Sequence, residues 1–369
     1  MLRTFAQLLL LIIIVGVLYL FIRNLSPTST FNLNLSGFLS SFNFSDLGFG
    51  NLSVPHNLSY PTPTPPQNYV PQNETIAYAL SLINQDRMAY GLPNVTYSNE
   101  TSGQQHSESM LQYDYFAHWD PFGLKPYMRY TLVNGTQGVD ENVAYIYNSS
   151  GINVLNAVKS MENSMMNNDQ ICCNNGHKYN ILDPHHNQVS IGVAYNRTTV
   201  YFTEDFIDNY ISWQSGTPNY NNGAVNLQGA SLPGYSLSSV EVSYDPMIMN
   251  MTKAQLKNTS SYSYGQSVAG IGHRVGNSYY YFQDLQTVNA TTYVTQNNNF
   301  DVQFNMNQLL SEYGPGEYSI MIFLTNNTSA TPDTCYTNSA GIKFCDTFLA
   351  ASYTIFINST DQKYIPQNI

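Results

Sequence analysis

Charged residues are scarce in this sequence. Only 10% of the 369 residues are Asp, Glu, Lys or Arg, whereas about a quarter is usual. Basic residues are less common than acidic ones, with 13 Lys and Arg against 24 Asp and Glu, and the formal net charge is -11. Nucleic-acid binding depends on Lys and Arg that displace counterions from phosphates, so we expect no nucleic-acid partner.

Cysteine is also rare, with four residues in the chain. Cys335 and Cys345 flank a short segment of a region rich in strand patterns, and this spacing predicts a disulfide bond that staples a hairpin. Cys172 and Cys173 are neighbours. A bond between these two and separate bonds to other partners both stay open, because connectivity cannot be deduced from a sequence.

Long apolar stretches are missing except at the N-terminus. Residues 5–22 are apolar apart from Gln7, and about 18 such residues suffice to cross a bilayer as a helix. A cleaved signal peptide is the competing interpretation, but no small-residue cleavage site follows Arg23. We therefore expect residues 1–23 to form a transmembrane helix that passes the cell membrane once.

Asn-x-Ser/Thr triplets, the acceptor sites of N-glycosylation, recur along the chain. Their density indicates a glycoprotein whose body is extracellular. Residues 24–72 are rich in Asn, Ser and Pro and end in a proline-rich run from Pro61 to Pro66. Such a segment cannot bury enough apolar area to fold, and its proline-rich end is extended and semi-rigid. We predict a stalk that holds the next domain off the membrane.

Two folded domains are predicted beyond the stalk. In residues 73–212, helical spacing of apolar residues is followed by two alternating strands that end near Phe206, which favours an α+β fold. From Gln214 onward strand alternation dominates. Residues 214–360 are therefore predicted to form an all-β, Ig-like sandwich that folds independently.

Five short boxes in the first domain carry a more specific signal. They are His106-Ser-Glu-Ser-Met110 with Tyr115-Phe-Ala-His118, Glu141-Asn-Val-Ala144, Gly176-His-Lys-Tyr-Asn-Ile-Leu-Asp-Pro184, Ile191-Gly-Val-Ala194 and Tyr201-Phe-Thr-Glu-Asp-Phe206. In this order they resemble the CAP superfamily of cysteine-rich secretory, pathogenesis-related and SCP-like extracellular domains, most of all its prokaryotic branch. The resemblance implies an α-β-α sandwich with a cleft that carries two histidines and up to two acids.

Carried over residue by residue, the resemblance places His118, Glu141 and His177 in that cleft. Glu204 stands where the family commonly has Gln. Strand alternation turns Glu204 inward, onto the expected floor of the cleft. A carboxylate buried there needs a partner, such as a histidine or a bound cation.

The second acid position of the family aligns with Ser164, although Glu162 lies nearby, so the usual set of four is incomplete. Two histidines with one or two carboxylates suit zinc, and His118 and His177 are the expected ligands of this candidate cofactor. The same groups could perform acid–base chemistry. They could also form a purely structural hydrogen-bonded network.

These residues predict a membrane-anchored cell-surface protein whose His/Glu cleft binds a divalent cation or a ligand that is a lipid, glycan or peptide. Neither a Gly-x-Ser-x-Gly nor a His-Glu-x-x-His motif occurs, and no catalytic residue is assigned. A peptidase-like extracellular hydrolase and a structural envelope or adhesion protein are the alternatives. The β-rich domain, including the run from Tyr313 to Tyr318, resembles modules that follow CAP domains in some archaeal surface proteins.

Overall fold

The computed structural model describes residues 70–259, 261–275, 278–279, 281–327, 334–339, 341–359, 362–363 and 365–366. The predicted membrane anchor at residues 1–23 lies outside these ranges, as does nearly all of the predicted stalk. Within the described ranges, no helix is long and apolar enough to cross a membrane.

The helices and strands are numbered in chain order over the described residues. The helices are α1 (Gln72–Ala89), α2 (Ser102–Tyr113), α3 (Pro126–Leu132), α4 (Val154–Asn167), α5 (Gln170–Cys173), α6 (Gly176–Ile181), α7 (Lys253–Leu256) and α8 (Asn307–Tyr313). The first strands are β1 (Thr96–Tyr97), β2 (Gly138–Tyr147), β3 (Gln188–Tyr195), β4 (Thr199–Asp208), β5 (Ile211–Trp213), β6 (Asn219–Asn221), β7 (Ala224–Ser231), β8 (Tyr235–Pro246) and β9 (Gln266–Gly272). They are followed by β10 (Arg274–Val275), β11 (Ser278–Tyr279), β12 (Gln286–Asn289), β13 (Thr292–Gln296), β14 (Asn299–Asn305), β15 (Gly316–Asn326), β16 (Cys335–Thr337), β17 (Lys343–Cys345) and β18 (Thr347–Ile357).

The first domain is built on a four-stranded sheet in the order β1-β3-β4-β2. Strands β3 and β4 form the hairpin that the sequence alternation predicts, and β2 lies at the edge. Helix α2 packs on one face, and Gly192 of β3 allows its close approach. A Cβ at this position would overlap the carbonyl oxygen of Gly103 in α2. Helices α1 and α4 pack with Ile191 and Phe202 on the other face. The sheet is therefore covered by helices on both sides.

The register between β2 and β4 decides which site residues share a face of this sheet. Glu141 lies opposite Asp205, and Asn142 lies opposite Glu204. Because side chains alternate along a strand, Glu141 and Asp205 point toward α2, whereas Asn142 and Glu204 point toward α4. The two glutamates that we expected in one cleft therefore lie on opposite faces.

Two sheets build the second domain, in the orders β12-β9-β8-β15-β18 and β13-β14-β7-β5, with β6 paired to β7. One hydrophobic core contains residues of both sheets, among them Val242, Val302 and Ile320. Strand β5 already pairs with β7 of this domain. The second domain therefore begins near residue 210, a few residues before the boundary that the sequence suggested.

The two domains share a buried interface at α3. Phe356 of β18 packs in one cluster with Tyr127. The Nζ atom of Lys125 donates to Asp245 Oδ1 at 2.6 Å, and the hydroxyl of Tyr127 donates to Asp245 Oδ2 at 2.6 Å. These contacts hold residues 261–264, which precede β9, beside the edge strand β2.

Candidate ligand-binding cleft

A cleft of about 310 Å³ lies where the edge strand β2 meets residues 261–264, so both domains contribute to its walls. The three residues that the family resemblance placed in a cleft, His118, Glu141 and His177, all line it. Amide and hydroxyl groups of the lining come from Asn142, Asn180, Ser261, Tyr262, Ser263 and Tyr264.

A carboxylate positions His118. Its Nδ1 lies 2.9 Å from Glu141 Oε1, and its ring centroid lies 5.0 Å from that of Tyr262. Burial and, to a smaller extent, the nearby charge of Arg129 lower the pKa of His118 to about 4. The ring is therefore neutral at physiological pH. Its Nδ1–H donates to Glu141, and Nε2 is left as the acceptor.

Arg129 holds both Glu141 and the chain that carries His118. Its Nη2 donates to Glu141 Oε2 at 2.5 Å, and its Nη1 donates to the carbonyl oxygens of His118 at 2.7 Å and Leu124 at 3.0 Å. The backbone N–H of Glu141 donates to the hydroxyl oxygen of Tyr262 at 2.7 Å. Glu141 is thus held by residues of both domains.

Asp205 lies beside Glu141 beneath the cleft. Ser102 donates to Asp205 Oδ2 at 2.5 Å, while Oδ1 accepts no hydrogen bond from the described residues. The carboxyl groups of Asp205 and Glu141 are in hydrogen-bond contact with each other. Burial raises the pKa of Glu141 to about 7 and that of Asp205 to about 8, and repulsion between the two carboxylates adds to the rise for Asp205. Because Arg129 favours the ionised form of Glu141, Asp205 keeps its proton at neutral pH and donates it to Glu141.

A different acid holds His177. Its Nδ1 lies 2.6 Å from Asp169 Oδ1, and its backbone N–H donates to Asp169 Oδ2 at 2.9 Å. Asp169 is buried just before α5. Asn174 and Asn175 have left-handed φ angles of 50° and 65°, which Asn adopts more readily than most residues. They turn the chain back so that His177 reaches Asp169.

Both imidazoles therefore offer the same chemistry to the cleft. Each Nδ1 contacts a carboxylate, and neither Nε2 has a hydrogen-bond partner in the part of the chain that the structure describes. The side chains of His118 and His177 are 14% and 16% exposed, so a ligand can reach them. A histidine oriented in this way can accept a hydrogen bond, bind a metal or take up a proton.

Glu204 does not line the cleft, although we expected it on the floor. Its side chain is buried, and Oε2 accepts from Asn142 Nδ2 at 3.1 Å. Asn142 also donates to the carbonyl oxygen of His177 at 3.1 Å and lines the cleft in its place. Glu162 of α4 adjoins Glu204, and burial raises the pKa of both acids. Glu204 is thus partnered by an amide and a second carboxyl group, whereas Ser164 is exposed.

Sequence reasoning missed four residues of the site: Arg129, Asp169, Asp205 and Tyr262. Alternation along β4 shows only that the side chains of Asp205 and Glu204 point to opposite faces of the sheet. The pairing of β4 with β2 is needed to show that Asp205 shares a face with Glu141. Arg129 and Asp169 belong to none of the five boxes. Tyr262 comes from the second domain, and no local pattern indicates a contact between domains.

Both pairs of cysteines are bonded. The predicted disulfide between Cys335 and Cys345 is confirmed, and it joins the paired strands β16 and β17. Cys172 and Cys173 are bonded to each other at the end of α5, which is one of the two alternatives left open by the sequence. Cys173 lines the cleft beside His177.

Comparison with known proteins identifies the first domain. Residues 80–206 match the family model described as CAP, the Cysteine-rich secretory protein family. Among solved structures, an extracellular protein containing an SCP domain from Bacillus anthracis is similar at 22% identity with a TM-score of 0.30, over 37% of this chain and 41% of that chain. An outer surface protein from Borrelia burgdorferi is similar at 14% identity with a TM-score of 0.30, over 37% of this chain and 96% of that chain. No curated protein sequence matches this chain significantly. Residues 80–206 form a CAP domain, as the five boxes predict.

Proposed function

We propose that this chain is a membrane-anchored extracellular protein whose CAP domain and β-rich domain together bind a ligand in the cleft of His118, Glu141 and His177. Two disulfides support the extracellular side, because such bonds persist in oxidising compartments. The anchor at residues 1–23 rests on the apolar run of the sequence. The β-rich domain acts as an Ig-like accessory module that supplies one wall of the cleft.

The observation that carries the proposal is that two imidazoles line one cleft while a carboxylate holds the Nδ1 atom of each. This leaves the two Nε2 atoms for a ligand. A glycan or peptide segment fits, because the exposed residues Ser261 and Ser263 line the cleft and their hydroxyls add hydrogen-bonding groups. Zinc is the cation that best matches two oriented imidazoles with room for water.

Calorimetric titration of the non-reduced protein with zinc and with a panel of glycans and peptides tests the cleft. We expect a ligand whose binding weakens at least roughly tenfold in His118→Ala and in His177→Ala. His273→Ala, in the second domain, is the matched control and leaves binding unchanged. Burial keeps the pKa of His118 near 4, so protons do not compete for this ring until the pH is well below 6. Binding that persists unchanged in both cleft variants would contradict the proposal.

Hydrolysis is a second candidate function. The contact between Glu141 and the Nδ1 atom of His118 orients a neutral imidazole, which is how a general base is held next to water. Turnover of a peptide or glycan library should then be lost in His118→Ala, while circular dichroism shows an intact fold. If no turnover and no binding are found, the network serves structure alone.

A further inference from the structure

A second cluster of donor groups lies at the rim of the cleft. Among the described residues, Asp169, Cys172, Cys173 and His177 each offer one ligand atom, and these atoms all lie within 4.8 Å of one another. A carboxylate, two thiols and an imidazole are the donors that zinc sites use. We infer that these four residues bind a zinc ion when the bond between Cys172 and Cys173 is reduced.

The order of these residues along the chain explains why their donors converge. Asp169 precedes α5, the cysteines end α5, and His177 lies in the first turn of α6. Cys172 Sγ lies 3.6 Å from Asp169 Oδ1, which in turn lies 2.6 Å from His177 Nδ1. Donors around a tetrahedral zinc ion lie roughly 3.3–3.8 Å apart, given bonds of about 2.0–2.3 Å. Shifts of about 1 Å therefore bring the four donors around one ion.

Reduction is the step that opens the site. Cys172 is exposed and Cys173 is partly exposed, so a dithiol reductant can reach the bond. The dithiol transfers two electrons and two protons, the S–S bond breaks to leave two thiols, and the dithiol becomes a disulfide. Zinc then displaces the thiol protons to solvent and binds both thiolates. While the two sulfurs are bonded to each other, they are not available to a metal.

The donor set also determines which metal fits. Two thiolates and one carboxylate carry three negative charges, and the thiolates are soft donors. They favour zinc over magnesium or calcium, which prefer oxygen ligands. Cys173 and His177 line both the cleft and a neighbouring cavity of about 340 Å³. The ion would therefore lie in the wall between the two cavities and engage one of the two histidines of the cleft.

Zinc content and a cobalt spectrum test this inference on the full chain. The protein is reduced with a thiol-free phosphine, freed of reductant without air, and dialysed against zinc or cobalt(II). We expect about one zinc ion per reduced chain, and a sulfur-to-cobalt charge-transfer band that shows thiolate ligation. Reoxidation should release the metal and remove the band.

The variants separate this site from the cleft and from the other disulfide. Cys172→Ser with Cys173→Ser should abolish the band, whereas the matched pair Cys335→Ser with Cys345→Ser should keep it. His118→Ala should also keep the band, because zinc held by the cleft depends on His118 and needs no reduction. Asp169→Asn should weaken binding roughly tenfold. The inference is wrong if the reduced chain gives no band, or if the band survives without Cys172 and Cys173.

Discussion

Asp205→Asn tests the assignment of a proton to the buried pair of Asp205 and Glu141. Asn resembles protonated Asp in shape and charge. Its Oδ1 can accept from Ser102, and its Nδ2 can donate to Glu141, which stays paired with Arg129. The variant therefore keeps the hydrogen bonds of the native pair but removes the group that titrates.

The sign of the effect follows from the raised pKa of Asp205, about 8 in the fold against 3.8 as the ordinary value. Between pH 4 and pH 8 the folded chain keeps a proton that the unfolded chain releases. The contribution of Asp205 to the free energy of unfolding of the wild type therefore falls as the pH rises through this window, and this contribution is constant on either side. A pKa difference of this size corresponds to about 6 kcal/mol. Local relaxation and water penetration reduce this, and we expect about 2–3 kcal/mol.

Urea denaturation of both proteins from pH 4 to pH 9 measures the effect. The variant should match the wild type near pH 4 and become more stable by about 2–3 kcal/mol near pH 8. Groups remote from the pair of Asp205 and Glu141 titrate alike in both chains and cancel in the difference. Asp114→Asn is the matched control, because the side chain of Asp114 is 84% exposed in a surface pair with Lys253. A difference between Asp205→Asn and wild type that stays constant across the pH range would refute the proton assignment.

Two further predictions concern the domain interface and the topology. Lys125→Ala should lower the free energy of unfolding by about 3 kcal/mol, because it leaves the buried carboxylate of Asp245 with Tyr127 alone. In the same urea experiment, Lys253→Ala, which removes the exposed pair with Asp114, should lower the free energy of unfolding by less than about 1 kcal/mol. An equal loss in both variants would show that the buried pair at the interface stabilises the fold no more than a surface pair does. Protease added to intact cells should remove the chain beyond residue 72, and full protection of the body would contradict the extracellular topology.

Local periodicity accounts for much of the first domain. The predicted hairpin of β3 and β4 is confirmed, and the five boxes placed His118, Glu141 and His177, which line one cleft. The positions of Glu204 and Asp205 could not be predicted in the same way. Alternation assigns opposite faces to neighbouring residues, but only the pairing of β2 with β4 shows which face meets Glu141. The membrane anchor stays a prediction.

Contacts between segments that are distant in the chain could not be predicted from a sequence pattern either. Asp169 reaches His177 because two left-handed Asn residues reverse the chain, and a pair of asparagines in this Asn-rich sequence is no signal by itself. Arg129 of α3 donates a hydrogen bond to Glu141 of β2, which is 12 residues away along the chain. Tyr262 is 121 residues from Glu141 along the chain. Long-range pairing of this kind depends on tertiary packing, which local propensity does not encode.

Helix α3 connects the cleft to the second domain. Its residue Arg129 holds the carbonyl oxygen of His118 and the carboxylate of Glu141, so the helix determines where both groups lie. Tyr127 on the same helix bonds Asp245 of the second domain. A shift of the second domain against α3 would therefore move the residues that position His118, besides removing the wall that includes Tyr262. We therefore expect the affinity of the proposed cleft to depend on the contacts of α3 with the second domain as well as on the two imidazoles.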